Sequence, residues 1–149
     1  MKKILIIFTL MLSSCGYQPI YINKSLNNLE YSEILLKGEK DLNRIIVNSL
    51  SLKENKSNSM LNKLEITTNT LIEETSKNAK GQAQTYRTTI SVELLIIKEK
   101  EIIKNKTFIE DFSYNSRDNK FELVEYQDEV RDDMIKKVIE EIVIYLNIQ

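Results

Sequence analysis

The chain contains no histidine, no tryptophan, and only one cysteine and one proline among its 149 residues. Without histidine, the commonest general base and the commonest zinc ligand are missing, and serine–histidine hydrolase chemistry is excluded. Its three glycines (Gly16, Gly38 and Gly81) lie far apart, so the sequence has no glycine-rich phosphate loop. A single cysteine cannot form an internal disulfide. We therefore expect no metal, no cofactor and no enzymatic activity, and a fold stabilised by packing.

Long apolar runs are also absent. A transmembrane helix needs roughly 20 apolar residues, whereas the apolar stretch Ile4–Leu12 is short and follows two lysines. Two serines then precede Cys15. A basic start, a short apolar segment and small residues before a cleavage site are typical of a secretory signal peptide. We predict that residues 1–14 are removed and that Cys15 is lipidated; the alternative is a small buried hydrophobe in an N-terminal strand.

Composition divides the remaining chain into two parts. Residues 15–28 contain Pro19, the only proline, and a polar run, and we interpret them as a tether. Residues 29–149 have the length of a single domain. The net charge of −1 does not identify a partner. We expect no nucleic acid among the partners. Each CH₂ group of an acyl chain buried in the membrane contributes about 0.8 kcal/mol to binding, so two or three chains anchor the protein firmly. Because Gly16, and not an aspartate, follows the cysteine, we expect the anchor to lie in the outer membrane on its periplasmic side.

Hydrophobic periodicity predicts six elements in the order strand, helix, three strands, helix. The apolar segment 29–37 reads as a strand, and three- and four-residue spacing from Glu39 predicts a helix that stops in the polar cluster 54–58. Alternation predicts strands near 64–73, 86–96 and 102–114, with a charged break at 98–101. Because Lys104 and Lys106 share the parity of Phe108, we expect a bulge or an exposed start in the last strand.

The last helix is predicted to begin near Asn119 and Glu122, which have the spacing of a capping box. Its apolar stripe contains Val130, Met134, Val138, Ile142 and Leu146. Two helices cannot cover both faces of a four-stranded sheet, so we predict an α+β two-layer sandwich, with both helices on one face of a four-stranded, mostly antiparallel sheet. The other face is predicted to be polar and accessible, and its apolar residues Leu71, Leu95 and Ile97 suggest a contact outside the domain.

The segment Cys15–Tyr21 (Cys-Gly-Tyr-Gln-Pro-Ile-Tyr) resembles the C-G-F-x-P-L-Y opening of the alphaproteobacterial branch of the LptE family. Thr85–Arg87, Phe112–Asn115 and the acidic helix ending at 142–146 resemble later landmarks of that family in the same order. The resemblance implies an outer-membrane lipoprotein that acts as plug and assembly partner of the LptD-like β-barrel, the lipopolysaccharide translocon. It also implies contact with lipopolysaccharide itself.

Phosphates of lipid A require Lys or Arg donors. Lys77 and Lys80, after the second predicted strand, and Arg87, on the next strand, are therefore the candidate lipopolysaccharide-binding residues. Two other functions fit the sequence. The chain could pilot or chaperone a different outer-membrane barrel or secretion pore, or it could be a lipid-anchored hydrolase that uses a pair of carboxylates.

Overall fold

A computed structural model describes residues 29–147; Cys15, the predicted signal peptide and the predicted tether lie outside the described residues. Six strands and two helices make up the described part of the chain. In chain order the elements are β1 (Glu30–Tyr31), β2 (Glu33–Gly38), α1 (Lys40–Ser49), β3 (Lys53–Glu54), β4 (Lys63–Lys77), β5 (Ala83–Lys98), β6 (Glu101–Asn115) and α2 (Lys120–Asn147).

The main sheet has four strands in the order β2-β4-β5-β6. Strand β2 runs parallel to β4, because α1 carries the chain back to the same end, and the other neighbours are antiparallel hairpins. Strands β1 and β3 form a separate parallel pair. Buried residues of α1 and α2 pack with the buried residues of the sheet in one core. The predicted α+β two-layer fold, with a mostly antiparallel sheet, is confirmed.

The core lies between the sheet and the helices. The predicted periodicities explain which residues are buried in it. Alternation along β4 and β5 sends every second residue to the helix-covered face. The predicted stripe of α2 is confirmed, since Val130, Met134, Val138 and Ile142 are buried and Leu146 is half-buried. The fully buried aliphatic side chains are Leu42, Ile46, Leu50, Leu64, Ile66, Ile90, Val92, Leu94, Val138 and Ile142.

The predicted bulge in the last strand is present near its start. Ile97 pairs with Ile102, whereas the preceding residue Ile96 pairs with Lys104, so Ile103 is an extra residue in β6. Glu99 and Lys100, in the turn before β6, have φ values of 49° and 78°. Positive φ at both central residues is the geometry of the tight two-residue hairpin that matches strand twist.

Two predictions near the N-terminus of the domain were incomplete. The single predicted strand is divided at Ser32, whose N–H and hydroxyl both donate to the carbonyl oxygen of Asn62, at 2.9 and 3.2 Å. Helix α1 ends at Ser49, before the polar cluster where we expected it to stop. Ser51 has a φ of 50° and turns the chain, which buries Leu52 and leads into β3.

Asn119 caps the start of α2, as predicted, but its pairing with Glu122 differs from that of a capping box. The Asn119 Oδ1 accepts a hydrogen bond from the Phe121 N–H at 2.9 Å. Glu122 contacts the side-chain amide of Asn119 at 3.5 Å, whereas a capping box uses the backbone N–H of the cap residue. The cap therefore satisfies one of the four unpaired N–H groups at this helix end.

A buried polar junction joins the end of β2 to β4. Gly38 pairs with Thr68 and has a φ of +85°. The Thr68 hydroxyl accepts from the Glu39 N–H at 3.0 Å and donates to the Asn43 Oδ1 at 3.1 Å. The Glu39 carboxylate pairs with Arg131 of α2 at 3.4 Å. Both helices are thus tied to the same point of the sheet.

Candidate functional site

One face of the sheet is not covered by the helices, as the sequence predicts. Odd-numbered residues of β4 and β5 lie on this face, which we call the open face. Most of them are polar, and the strand register places them side by side in rows across the sheet. The central polar positions are Glu65, Thr67, Asn69, Glu73, Arg87, Thr89, Ser91 and Glu93.

The three apolar residues predicted on the open face do not form one group. Leu71 pairs with Thr89, whereas Leu95 pairs with Glu65, so six residues of β5 separate the two positions. At about 3.4 Å per residue this is roughly 20 Å. Leu95 and Ile97 instead lie with Ile102 of β6 near the β5–β6 turn.

The two ends of the sheet differ in their relation to the predicted tether. The chain enters the domain at Leu29, whose carbonyl oxygen accepts from the Lys53 N–H at 3.0 Å. The start of β2 lies beside Lys63, which pairs with Ile97 near the β5–β6 turn. We call this the tether end. The β4–β5 turn, Asn78–Gln82, lies at the opposite end, which we call the far end.

The structure brings two of the three candidate lipopolysaccharide contacts together. Lys77 and Lys80 are exposed at the far end, and the Lys77 Nζ pairs with Glu74 at 2.9 Å. Arg87 lies four residues into β5 from Ala83, about 13 Å along the strand. It is exposed on the open face opposite Glu73. The three side chains thus lie along one edge of the far end and do not converge on one point.

Asn78 fixes the conformation of the turn that carries the two lysines. Its side-chain oxygen accepts from the backbone N–H groups of Lys80 and Gln82, at 2.9 and 3.0 Å. Its carbonyl oxygen accepts from the Gly81 N–H at 2.9 Å, and Gly81 has a φ of +79°. Such side-chain-to-backbone bonds are the reason that Asn is common in turns. The lysines are therefore carried by a defined turn.

An aromatic cluster at the far end was not predicted from the sequence as a feature of the site. Tyr114 lies 5.9 Å from Tyr86, 6.4 Å from Phe112 and 5.6 Å from Tyr126, measured between ring centroids. Arg117 lies 4.5 Å above the Tyr126 ring. Only the shared parity of Phe112 and Tyr114 pointed to this cluster, because the contribution of Tyr126 depends on how α2 packs. The cluster joins the start of α2 to β5 and β6.

Charge at the tether end is arranged in cross-strand pairs. Lys63 donates to Glu33 at 2.6 Å, and this hydrogen bond, with the lysine charge, lowers the pKa of the Glu33 carboxyl below its usual value. Burial raises the pKa of the Tyr31 hydroxyl.

Among residues 29–147, no group of three or more acidic or cysteine side chains is placed to hold a metal ion. In the same range, neither helix combines the length and apolar character needed to cross a membrane.

Four acidic residues in the first half of α2 are exposed. Glu122, Glu125, Asp128 and Glu129 lie on the surface of the first half of the helix. This agrees with their interpretation as a solvated face near the helix N-terminus, where negative charge is favourable.

Solved structures of other proteins share this fold. Rare lipoprotein B from Shewanella oneidensis matches with a TM-score of 0.59 at 12% identity, covering 77% of this chain and 93% of that chain. Lipoprotein B from Nitrosomonas europaea gives 0.55 at 14% identity, covering 81% and 85%. A minor lipoprotein from Acinetobacter baumannii gives 0.51 at 15% identity, covering 76% and 89%.

At these identities the likeness shows a common fold. No family model matches the chain, and no curated protein matches its sequence. The chain therefore shares its fold with bacterial lipoproteins whose sequences differ widely from its own.

Proposed function

We propose that this chain is an outer-membrane lipoprotein of the LptE type, which acts as plug and assembly partner of the lipopolysaccharide-translocating β-barrel. The proposal rests on a sequence feature combined with a structural likeness. Cys15 follows a short apolar leader, and the domain behind it shares its fold with rare lipoprotein B over 93% of that chain. Cys15 holds the acyl chains in this proposal, and its role is anchoring, not catalysis.

The dimensions of the sheet fit a domain that lies along a barrel lumen. Strand β4 has 15 residues, which corresponds to about 50 Å, and a bilayer with its headgroups is about 40–45 Å thick. With the tether end near the periplasmic leaflet, the far end reaches toward the leaflet that contains lipopolysaccharide. The open face is mostly polar, which suits contact with the polar interior of a barrel.

This orientation places Lys77 and Lys80 nearest to the lipid A phosphates, with Arg87 behind them on the open face. Replacing both lysines with glutamate removes two positive charges from the far end and adds two negative ones, and we expect weaker binding to purified lipopolysaccharide with unchanged circular dichroism. Lys53→Glu with Lys56→Glu is the matched control. These lysines have the same spacing, one of them also pairs with a glutamate, and both are exposed at the tether end. Equal losses in both double variants would remove the site assignment.

An affinity pull-down tests the partnership. Lipidated protein is captured from detergent-solubilised outer membranes, and its partners are identified by mass spectrometry. Recovery of the lipopolysaccharide barrel in a stable complex supports the proposal. Recovery of a different barrel or secretion pore instead would make the chain a pilot or chaperone for that pore and would contradict the proposal.

The absence of enzymatic activity stays a prediction. It is tested by incubating the purified protein with peptidoglycan and analysing the soluble fragments. Release of fragments that is lost on replacing a carboxylate would revive the hydrolase alternative.

A further inference from the structure

We propose that the isoleucines at the β5–β6 turn contact the phospholipid surface of the leaflet that holds the lipid anchor. We call Ile97, Ile102 and Ile103 the isoleucine tip. The inference rests on the anchoring part of the proposed function and adds to it a membrane contact made by the folded domain. It assigns a role to apolar residues that neither the core nor the lipopolysaccharide proposal uses.

Two residues of the tip, Ile102 and Ile103, are exposed beside the bulge in β6, and Ile97 is half-buried. Ile102 pairs with Ile97 across the hairpin, and the extra residue Ile103 follows it at once. Ile102 is 60% exposed and Ile103 is 47% exposed. A regular strand would point successive side chains to opposite faces, whereas a bulge locally increases twist and redirects a side chain. Two isoleucines are thus exposed to solvent at this end of the sheet.

Position selects the bilayer as the occupant. The tip is at the tether end, where Leu29 continues into residues 15–28. Because the chain leaves the domain at this end on its way to the lipid on Cys15, this is the end that the anchor connects directly to one leaflet. The far end is separated from the tether by the length of β4. Of the two hairpin turns, the one carried toward the membrane is the one with exposed isoleucines.

The opposite hairpin turn provides an internal comparison. Residues 74–85, which surround the β4–β5 turn, contain no large apolar side chain. If exposed isoleucines were a general property of the hairpin ends, both turns would have them. Large apolar side chains in solvent are instead confined, among these two turns, to the one beside the tether.

The charges of the turn allow this contact without requiring anionic lipid. Lys98 and Lys100 alternate with Glu99 and Glu101, so the four exposed residues are neutral as a set. Lysines beside an apolar surface can extend their amines to the headgroups while their methylenes remain in the interface. We therefore expect the contact on zwitterionic and on mixed anionic membranes.

Tryptophan fluorescence tests the proposal, because the natural chain has no tryptophan. The mature lipidated chain carrying Ile102→Trp is reconstituted into phosphatidylethanolamine–phosphatidylglycerol vesicles, with brominated phospholipids as quenchers. Side chains in an interfacial site lie about 5–10 Å into the headgroup and acyl boundary. We expect a blue-shifted emission that brominated lipid quenches for Ile102→Trp, and the same for Ile103→Trp.

Ile109→Trp is the matched control. Ile109 lies in the same strand, is also 60% exposed, and pairs with Ser91 in the middle of the open face. Its emission should stay red-shifted and unquenched. Circular dichroism and flotation with the vesicles verify the fold and the anchor of each variant.

The outcomes distinguish failure of the membrane contact from failure of the anchor. Flotation without quenching at residue 102 overturns the membrane contact and leaves the anchor intact. A blue shift without quenching means that a second copy of the protein covers the tip, and it also overturns the membrane contact. Equal quenching at residues 102 and 109 contradicts a specific tip. Failure to float contradicts the anchor, and with it both proposals.

Discussion

Gly38→Ala is the substitution that most sharply tests the close approach of β2 and β4. A Cβ at this position would lie 1.8 Å from the carbonyl oxygen of Thr68. Real contacts of this kind are at least 3.0 Å, so one strand would have to move by more than one ångström. The obstacle is a backbone atom within the hydrogen-bonded ladder, which cannot rotate away as a side chain can.

Gly81→Ala separates steric crowding from backbone conformation. Gly81 has a φ of +79°, close to the +85° of Gly38, but a Cβ there meets nothing within 4 Å. The left-handed conformation alone costs an L residue roughly 1–2 kcal/mol, and this is the expected loss for Gly81→Ala. For Gly38→Ala the overpacking adds roughly 1–3 kcal/mol or more. Against a total stability of about 5–15 kcal/mol, the second loss is severe.

Urea denaturation followed by circular dichroism measures the difference. The protein used is the chain from residue 15 with Cys15→Ser, so that lipid does not interfere. With a urea dependence of about 1–3 kcal/mol per molar, the midpoint of Gly38→Ala should fall below that of Gly81→Ala by roughly 1 M. Equal midpoints would refute the pairing of Gly38 with Thr68 and the parallel register of β2.

Two further predictions concern the core and the tether end. Ile142→Ala should lower the free energy of unfolding by roughly 2–5 kcal/mol, because Ile142 is fully buried. Ile144 is 58% exposed, so Ile144→Ala should change this free energy little. Similar losses for the two variants in urea denaturation would contradict the orientation of α2. Since Lys63 lowers the pKa of Glu33, the stabilising contribution of this carboxylate is present above its ordinary pKa and is lost as the pH falls through the folded-state value. Titration by NMR should show Lys63→Met raising the Glu33 pKa toward its usual value, and an unchanged titration would exclude the pair.

Local patterns predicted the long elements well. The alternation in β5 and the apolar stripe of α2 each repeat over many residues. Several residues of each element therefore indicate independently which of its faces is buried. The bulge in β6 was also predictable, because Lys104 and Lys106 occupied the parity of the core. These features depend on neighbours in sequence.

Features that depend on distant backbone partners were not predictable. In the pairing of β3 with β1, the Lys53 N–H donates to the Leu29 carbonyl oxygen and the Asn55 N–H donates to the Tyr31 carbonyl oxygen. Backbone hydrogen bonds of this kind require no particular side chains, so the polar sequence around β3 contains no pattern that predicts them. Strand β4 continues to Lys77 through exposed polar residues with no apolar alternation. The position of Leu71 relative to Leu95 likewise required the register of β4 on β5.

The candidate site divides in the same way. Composition identified Lys77, Lys80 and Arg87, and the turn signal near Asn78 and Gly81 placed the first two together. The aromatic cluster around Tyr114 joins residues from two strands and α2, so it became visible only with the packing of that helix. At the isoleucine tip, the parity of Lys104 and Lys106 predicted the bulge in β6, but it did not predict that Ile102 and Ile103 are exposed beside it.

The central claim is that a lipid on Cys15 holds this domain at the outer membrane. Intact mass spectrometry of the protein purified from outer membranes tests it most directly. We predict a chain that begins at residue 15 and carries the added mass of a diacylglycerol and an acyl chain. A chain that retains residues 1–14 and has an unmodified Cys15 would contradict the account.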